Sequence, residues 1–274
     1  MRPCDRSCCR DSEGDQMRLI KSMILSLSMY SKIPMPQIEC DEEDGKYMMI
    51  FFPMVGCIIA AATIGWSLLC SRLEIPEVAR ITVLAALPLV VSGGFHMDGF
   101  MDTADARASY QSRERKLEIL KDPNIGAFAV IRVVVYELLL LASFSVLQEQ
   151  KWLIVFALCY CLSRILSGIS VVTFRSARQE GMLFYTAKTA QRMTNLIVLS
   201  LELIGIVAVM ILYEPIAGCV AVGAALLTFA YYGWMSRRTF GGITGDLAGW
   251  FVTVTELVCP LALAVANCIL HSIK

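Results

Sequence analysis

Three aspartates follow the end of a long apolar segment, in the stretch 93–106. If residues 98–105 are helical, the side chains of Asp98, Asp102 and Asp105 project from one face at intervals of about one turn. Such a cluster repels itself unless a cation lies within it. Hard oxygen ligands suit Mg²⁺ or Mn²⁺ better than zinc, and Mg²⁺ held by a few carboxylates usually also binds phosphate. The spacing therefore predicts a catalytic metal site for a substrate that carries phosphate.

Glycines and a histidine accompany this acidic cluster. Gly93 and Gly94 precede it, and Gly99 lies within it. Because glycine lets a backbone approach a phosphate or a metal closely, we interpret Gly93 and Gly94 as substrate-binding residues. His96 has two interpretations. It is either a hydrogen-bonding partner or a general base, a task suited by an unperturbed pKa of about 6.5.

A second polar element, Lys121 to Phe128, leads into another apolar segment. The ammonium group of Lys121 could hold a phosphate oxygen as a point charge, or it could anchor the end of a membrane span. Anchoring explains Asp122 less well, because acids contribute little to membrane topology. We therefore expect Asp122 to be a ligand or a salt-bridge partner, and both residues to contribute to substrate binding.

Arg164 lies about ten residues inside an apolar segment, which places it near the expected midplane of a membrane span. Charges at that depth are costly and usually pair or serve a site, and Glu137 lies at a similar depth as a candidate partner. Arg175 and Arg178 follow the end of the same segment. Because a guanidinium suits bidentate phosphate recognition, we assign all three arginines to substrate binding, with positive anchoring as the alternative for the last two.

The last polar element, Gly241 to Asp246, combines glycines with a threonine and an acid. This composition is typical of a backbone that approaches a phosphate or nucleotide, and also of a tight turn. Glu256 follows about three turns later within an apolar segment, where an ionisable group is costly. We predict that Thr244, Gly245 and Glu256 bind substrate and that Asp246 joins the metal ligands.

These elements are embedded in a chain of 274 residues that is 57% hydrophobic and 18% charged. Its mean hydropathy of +0.62 is far above that of an ordinary soluble domain and predicts a polytopic membrane protein. The formal net charge is zero, so no global basic field would attract nucleic acid. The 11 cysteines are scattered without a paired motif, which fits thiols that face a reducing compartment.

Seven apolar segments are long enough to cross a bilayer as helices of about 20 residues. They lie near residues 47–70, 78–94, 126–147, 152–174, 194–213, 215–235 and 248–271. The segment from Met17 to Pro36 contains basic residues and stops at prolines, so we predict an interfacial helix there. The expected fold is an all-α polytopic integral membrane protein with about seven transmembrane helices and this N-terminal interfacial helix.

Basic residues are distributed unevenly between the two sides that seven spans create. One side holds most of the 24 lysines and arginines, and the other holds only Arg72, Arg80, Lys151 and Lys274. Because positively charged loops stay in the cytoplasm, we place the N-terminus and the polar elements on the cytoplasmic face. Residues 1–16 lack the apolar core of a signal peptide, so we expect a disordered tail or an extension before a start at Met17. Residues 17–274 then form a single membrane-embedded domain.

The polar elements occur in a fixed order along the chain. They include Ile33-Pro34-x-Pro36, Gly93-Gly94-x-His96-x-Asp98-Gly99-x-x-Asp102-Thr103-Ala104-Asp105, Lys121-Asp122, Ile125 to Phe128, Leu162-Ser163-Arg164, Ala177-Arg178-x-Glu180-Gly181, Gly241-Gly242-x-Thr244-Gly245-Asp246 and Thr255-Glu256. In this order the chain from Met17 onward resembles the cobalamin synthase family, adenosylcobinamide-GDP ribazoletransferase. It departs from the family at Pro123-Asn124 and Trp250, where substrate fit rather than chemistry would change.

The resemblance implies an enzyme that transfers phosphoryl-linked cobinamide from adenosylcobinamide-GDP to a hydroxyl of α-ribazole, or of its 5′-phosphate, and releases GMP. It implies Mg²⁺ as cofactor, held by Asp98, Asp102 and Asp105 with Asp246. His96 or one of the aspartates would take the hydroxyl proton. The resemblance also implies a multi-pass protein of the plasma membrane that works within the lipid bilayer, alone or as a homo-oligomer.

Two other functions use part of the same residues. A CDP-alcohol phosphotransferase also has aspartates at the membrane edge, but its pattern of Asp-Gly before Ala-Arg with further glycine-spaced aspartates is not met. A secondary transporter would line its path with the charges inside the apolar segments, which are Glu137, Arg164, Glu202 and Glu256. Substrate uptake without nucleotide turnover would distinguish this transporter from the transferase.

Overall fold

A bundle of α-helices forms the protein. The structure is a computed structural model that describes residues 6–273, and its helices are α1 (Arg6–Tyr30), α2 (Met48–Leu73), α3 (Glu77–Ser92), α4 (Phe95–Ala108), α5 (Arg113–Ile119), α6 (Ala127–Val146), α7 (Gln150–Thr173), α8 (Met182–Thr189), α9 (Arg192–Tyr213), α10 (Pro215–Met235) and α11 (Gly245–Ile273). A 3-10 turn covers Glu42–Gly45, and a π-helical turn, Ser236–Phe240, continues α10. No strand occurs between residues 6 and 273, so the predicted all-α fold is confirmed.

Six of the helices described are long and apolar enough to cross a membrane, namely α2, α6, α7, α9, α10 with its π-helical turn, and α11. This confirms a multi-pass membrane protein. The segment predicted as a span at 78–94 has a different form, because α3 has only 16 residues and α4 follows it at an angle of 95°. The count of spans rises to seven if this bent pair is taken as one span. α4, which contains the aspartate cluster, is not a spanning helix by itself.

Two glycines make the sharp bend between α3 and α4. Gly93 and Gly94 have φ angles of 64° and 78°, in the left-handed region that favours glycine. A Cβ atom on Gly93 would lie 2.3 Å from Cγ of Lys32, whose backbone N–H donates to the carbonyl of Val91. The backbone geometry and this close packing therefore account for the glycines at the end of α3.

α7 is the central helix of the bundle. In its most apolar window 83% of the residues are buried inside the protein, against 11% for α9, which leaves most of α9 to face lipid. α2, α9, α10 and α11 all pack against α7. Gly56 allows α2 to approach closely, since a Cβ atom there would lie 2.4 Å from the carbonyl oxygen of Tyr160.

Most of the polar elements gather at one end of the bundle, where α3 and α7 end and α6 and α11 begin, whereas Arg164 and Glu256 lie within the bundle. We call it the motif end. α4 crosses this end and packs against α6 and α11. The segment after α7 joins it through a parallel backbone bridge between Ser176 and Ile243. Elements that are more than 100 residues apart in sequence are thereby brought together.

The N-terminal helix is longer than the sequence indicates. α1 begins at Arg6, within the segment 1–16 for which we expected a disordered tail or a start-site extension, and residues 1–5 lie outside the described residues. It ends at Tyr30, before the prolines, and packs against α2. Lys21 forms an ion pair of 3.1 Å with Asp44, which holds α1 against the 3-10 turn. An interfacial position for α1 remains a prediction.

Candidate functional site

Close backbone contacts join the aspartate helix to the last polar element. A Cβ atom on Gly99 of α4 would lie 2.6 Å from the carbonyl oxygen of Asp246, at the start of α11. One on Gly249 would lie 3.3 Å from the backbone of His96. Only glycine at position 99 permits α4 and α11 to approach so closely. This contact brings Asp98 and Asp246, predicted from separate motifs, into the wall of the same cavity.

The cavity has a volume of about 300 Å³ and combines polar with apolar walls. Its charged lining residues are Asp98, Asp246, Arg178 and Glu180. Its large apolar and aromatic lining residues include Tyr30, Met49, Phe52, Phe95, Val171, Leu183 and Phe184. Such a mixed lining suits a ligand that has both an anionic part and a ring system.

Asp102 lies in a field of other carboxylates. Burial first, and then the charges of Asp98, Asp246, Asp105 and Asp122, raise the pKa of Asp102 to about 7. Every one of these causes disfavours its ionised form, which is the condition in which a bound cation stabilises a carboxylate cluster. A cation bound near Asp98, Asp102 and Asp246 would offset this repulsion, and the metal site stays a prediction.

Asp105 occupies a different position from the other aspartates. Its two carboxylate oxygens accept hydrogen bonds from the backbone N–H groups of Gly126, at 2.7 Å, and Ala129, at 2.9 Å. Both donors belong to the N-terminus of α6, where the partial positive charge of a helix favours an anion. Asp105 thus ties α4 to α6 as a helix cap.

The four predicted metal ligands do not form one coordination sphere. Among the residues whose side chains the structure describes (16–41 and 43–272), no three histidine, cysteine, aspartate or glutamate side chains are arranged so that they could hold a metal ion. The cap on α6 draws Asp105 away from the set. Asp98 and Asp246 remain as the two carboxylates in the cavity wall, with Asp102 one helical turn after Asp98. Such a donor set fits Mg²⁺, which takes few carboxylates and completes its coordination with water and substrate phosphate.

His96 is buried in the cavity wall, and only 4% of its surface is exposed. Neither ring nitrogen has a hydrogen-bond partner among the described residues. Burial, and secondarily the charge of Arg164, hold the pKa of His96 well below its ordinary value, so the ring is neutral near pH 7. A neutral imidazole offers one donor and one acceptor, and the described residues pair with neither.

Arg164 and Glu256 form an internal ion pair. Nη1 of Arg164 lies 2.5 Å from Oε1 of Glu256 and 2.9 Å from the carbonyl oxygen of Tyr160, and both charged side chains are almost fully buried. The partner suggested by the sequence, Glu137, was wrong, because the packing of α7 against α11 presents Glu256 instead. Arg164 and Glu256 do not line the cavity, so their predicted substrate contact lacks a direct geometric basis.

The two other predicted arginines have different positions. Arg178 lines the cavity and also donates from Nη2 to the carbonyl of Leu117. Arg175 contributes its backbone carbonyl, which accepts from the N–H of Ile243 at 2.9 Å, and its side chain is not part of the cavity wall. Gly242 permits this bridge, since a Cβ atom there would lie 2.4 Å from the carbonyl oxygen of Arg175.

Lys121 and Asp122 lie at the protein surface beside the cavity. Lys121 forms an ion pair with Glu180, and both side chains are exposed. The carboxylate of Asp122 accepts from the backbone N–H of Asn124 at 2.9 Å and from its side-chain amide at 2.7 Å, which lowers the pKa of Asp122. The structure thus gives Asp122 a role in its own turn, and substrate contact by either residue remains a prediction.

Thr244 and Gly245 line the cavity, as expected of substrate-binding residues, whereas Gly93 and Gly94 lie outside its wall. The hydroxyl of Thr244 accepts from the N–H of Leu247 at 3.3 Å and so caps the start of α11. It also lies 3.3 Å from Oδ2 of Asp246. Thr244 therefore holds the first turn of α11 in the position that presents Asp246.

Sequence reasoning missed the aromatic part of the site. Tyr30 at the end of α1, Phe52 in α2 and Phe95 at the start of α4 contact one another and His96 in the cavity wall. An apolar ring that lines a cavity has the same sequence signature as one that faces lipid or core. Only the adjacency of Phe95 to the aspartate motif gave a signal.

Comparisons with known proteins identify the family of the chain. The model of the family described as cobalamin-5-phosphate synthase matches residues 22–264. An adenosylcobinamide-GDP ribazoletransferase of Lachnoclostridium phytofermentans is 39% identical over 251 residues, which are 92% of this chain and 96% of the relative. One of Clostridium botulinum strain Alaska E43 is 32% identical over 245 residues, 88% of this chain and 95% of the relative. No solved structure is significantly similar to the chain.

Proposed function

The chain belongs to the cobalamin-5-phosphate synthase family, and from this membership we infer that it is an adenosylcobinamide-GDP ribazoletransferase. The reaction joins adenosylcobinamide-GDP to α-ribazole. We assign this reaction to the cavity because Asp98 and Asp246 both line its wall. These two residues come from the aspartate motif and from the last polar element of the sequence. The family assignment favours the transferase over the transporter and the CDP-alcohol phosphotransferase.

The reaction at this site is a displacement at phosphorus. A ribose hydroxyl of the acceptor attacks the phosphorus that is bonded to cobinamide, the pyrophosphate P–O bond breaks, and GMP leaves. His96 or one of the aspartates takes the hydroxyl proton. Asp98, Asp246 and the neighbouring Asp102 would hold Mg²⁺, which would neutralise charge on the pyrophosphate and on the leaving GMP.

The cationic side chains at the cavity favour phosphate in the ligand. Arg178 lines the cavity and would bind phosphate oxygens there. Lys121 would reach a phosphate from the surface if its ion pair with Glu180 opened. The family's description, which names a 5-phosphate product, supports α-ribazole 5′-phosphate as the acceptor.

The location of the enzyme follows from the distribution of charge. Lysines and arginines are concentrated in the loops on the side of the polar elements, and basic loops stay in the cytoplasm. We therefore place the motif end at the cytoplasmic face of the plasma membrane. Both the nucleotide-activated donor and the acceptor phosphate are polar molecules that would reach the cavity from the cytoplasm.

GMP release tests this function. The full chain, purified in detergent, is supplied with adenosylcobinamide-GDP, α-ribazole 5′-phosphate and Mg²⁺. We expect GMP and a cobalamin product, and a loss of about 10²–10³-fold or more in kcat for Asp98→Asn, as seen when one group that stabilises transition-state charge is removed. Glu118→Gln, an exposed acid on α5, is the matched control and should retain activity.

Chelation of divalent ions should abolish turnover, and added Mg²⁺ should restore it. A folded parent protein that releases no GMP would overturn the transferase assignment. Full activity of folded Asp98→Asn would overturn the assignment of the site while leaving the reaction intact.

A further inference from the structure

Four rings from three separate segments form one wall of the cavity. The ring centroids of Tyr30 and Phe52 are 4.4 Å apart, and those of Phe95 and His96 are 5.5 Å apart. The rings of Tyr30 and His96 are nearly parallel, at 8° with centroids 6.3 Å apart. We call this set, Tyr30, Phe52, Phe95 and His96, the aromatic wall. All four residues line the cavity.

The imidazole of His96 is the exceptional member of the aromatic wall. It is buried among rings, yet both of its nitrogens lack a hydrogen-bond partner in the part of the chain that the structure describes. Burying a polar group without a partner is unfavourable, so unpaired buried groups in a cavity wall indicate a ligand that pairs with them. Such a ligand has to present a flat apolar face to the rings and a polar atom to His96.

The volume of the cavity excludes one part of the substrates. About 300 Å³ lies at the lower limit of pockets that enclose small ligands. A corrin macrocycle with its side chains is far too large for it. The remaining ring systems are the two purines of the donor, which are its guanine and the adenine of its adenosyl group, and the base of the acceptor.

Hydrogen-bonding capacity distinguishes the purines of the donor from the base of the acceptor. Guanine and adenine both carry donors and acceptors along several edges, and an aromatic wall with one imidazole and one phenol would leave some of them unpaired. The benzimidazole of α-ribazole is apolar except for one free ring nitrogen, which is an acceptor. A single ring N–H of His96 satisfies that acceptor.

On the basis of the proposed function, we propose that the aromatic wall binds the base of the acceptor and that His96 donates a hydrogen bond to its free ring nitrogen. The ribose then lies toward Asp98, which follows His96 by two residues on α4, and toward Asp246. His96 is thus a specificity-determining residue, and a carboxylate takes the proton of the attacking hydroxyl. The corrinoid stays outside the enclosed cavity.

The test compares two acceptors that differ at one atom. One is the 5′-phosphate of α-ribazole, and the other is the matching indole riboside phosphate, in which a C–H replaces the free ring nitrogen. We expect the parent to prefer the benzimidazole by about tenfold or more in kcat/KM, because an unpaired donor in the wall penalises the analogue. His96→Phe should abolish that preference and leave the KM of adenosylcobinamide-GDP unchanged.

A preference that survives in His96→Phe, with kcat reduced equally for both acceptors, would overturn the proposal and identify His96 as the proton acceptor. Phe52→Leu provides a second readout, which is needed if His96→Phe does not fold. It should raise the KM of the acceptor and not that of the donor, whereas Tyr185→Ala, an exposed ring outside the cavity wall, should change neither. An active parent that uses both acceptors equally would overturn the aromatic-wall assignment and leave the transferase function standing.

Discussion

Two groups of charged side chains in this protein differ in how their charge is balanced. Arg164 and Glu256 lie between spanning helices, 2.5 Å apart and almost fully buried, and each balances the charge of the other. Asp98, Asp102 and Asp246 lie at the motif end, where the charges of the other acids contribute to the raised pKa of Asp102. A balanced buried pair fixes how helices pack. In an unbalanced cluster at a cavity, the carboxylates repel one another until a cation binds between them. Mg²⁺ bound together with a substrate phosphate can provide that cation.

The largest effect on stability should come from breaking the balanced pair. Arg164→Met leaves Glu256 as an uncompensated charge inside the protein, which costs about 3–5 kcal/mol in similar buried pairs. We expect a strong loss of folded protein and of thermal stability in detergent, measured by size-exclusion chromatography and unfolding of the full chain. Activity should fall in proportion to the loss of folded protein.

The double variant Arg164→Met with Glu256→Leu is the matched control for that experiment. Removing both charges eliminates the unpaired group, so stability should return to near that of the parent. A folded double variant with normal KM values would establish that the pair is structural. A folded double variant without turnover would show instead that the pair acts on the substrate. The buried pair and the acidic cluster would then both be functional groups.

A smaller effect should separate two aspartates that the sequence places in one cluster. Asp105→Asn weakens the cap on α6 and should lower stability by about 0.5–2 kcal/mol, the range for helix N-caps. Asp102→Asn removes a carboxylate from a self-repelling group and should raise the stability of the metal-free protein. The measurement is the unfolding temperature of each variant with and without Mg²⁺.

The second measurement on the Asp102→Asn and Asp105→Asn variants is the rise in stability that Mg²⁺ produces. It should persist in Asp105→Asn and diminish in Asp102→Asn, because ligand binding to the folded state raises stability in proportion to affinity. The reverse pattern would show that Asp105 binds the metal and would restore the cluster of three aspartates as predicted from the sequence.

The length and number of the apolar segments were sufficient to predict the fold class, and the spacing of the acids predicted the helix that presents Asp98 and Asp102. The spacing could not predict the position of Asp105, since that depends on where the N-terminus of α6 lies in space. Depth in the membrane could likewise be read from the sequence for Arg164, but two acids lie at compatible depths. The rotation and packing of the helices place Glu256, and not Glu137, against Arg164. Hydropathy encodes neither helix rotation nor helix packing.

The sequence also located the polar half of the cavity better than its apolar half. Asp246 and Arg178 are unusual residues in an apolar chain, so their position attracts a functional interpretation. Phe52 is one apolar residue among many, and its side chain becomes informative only because α2 directs it toward His96. The bend after the short helix α3 was not predicted for a related reason, because composition alone does not show that Gly93 and Gly94 turn the chain.

The smallest effect should come from Lys121, whose charge is balanced at the surface. Its ion pair with Glu180 is exposed, and exposed pairs contribute at most about 1 kcal/mol. We expect Lys121→Gln to change the KM of adenosylcobinamide-GDP by about threefold or less, which corresponds to about 0.7 kcal/mol. Arg178→Gln, which alters a guanidinium in the cavity wall, should raise it further. If Lys121→Gln raised this KM more than Arg178→Gln at both low and high salt, Lys121 would bind the substrate directly. Lys121 would then belong to the unbalanced charges of the site and not to a surface ion pair.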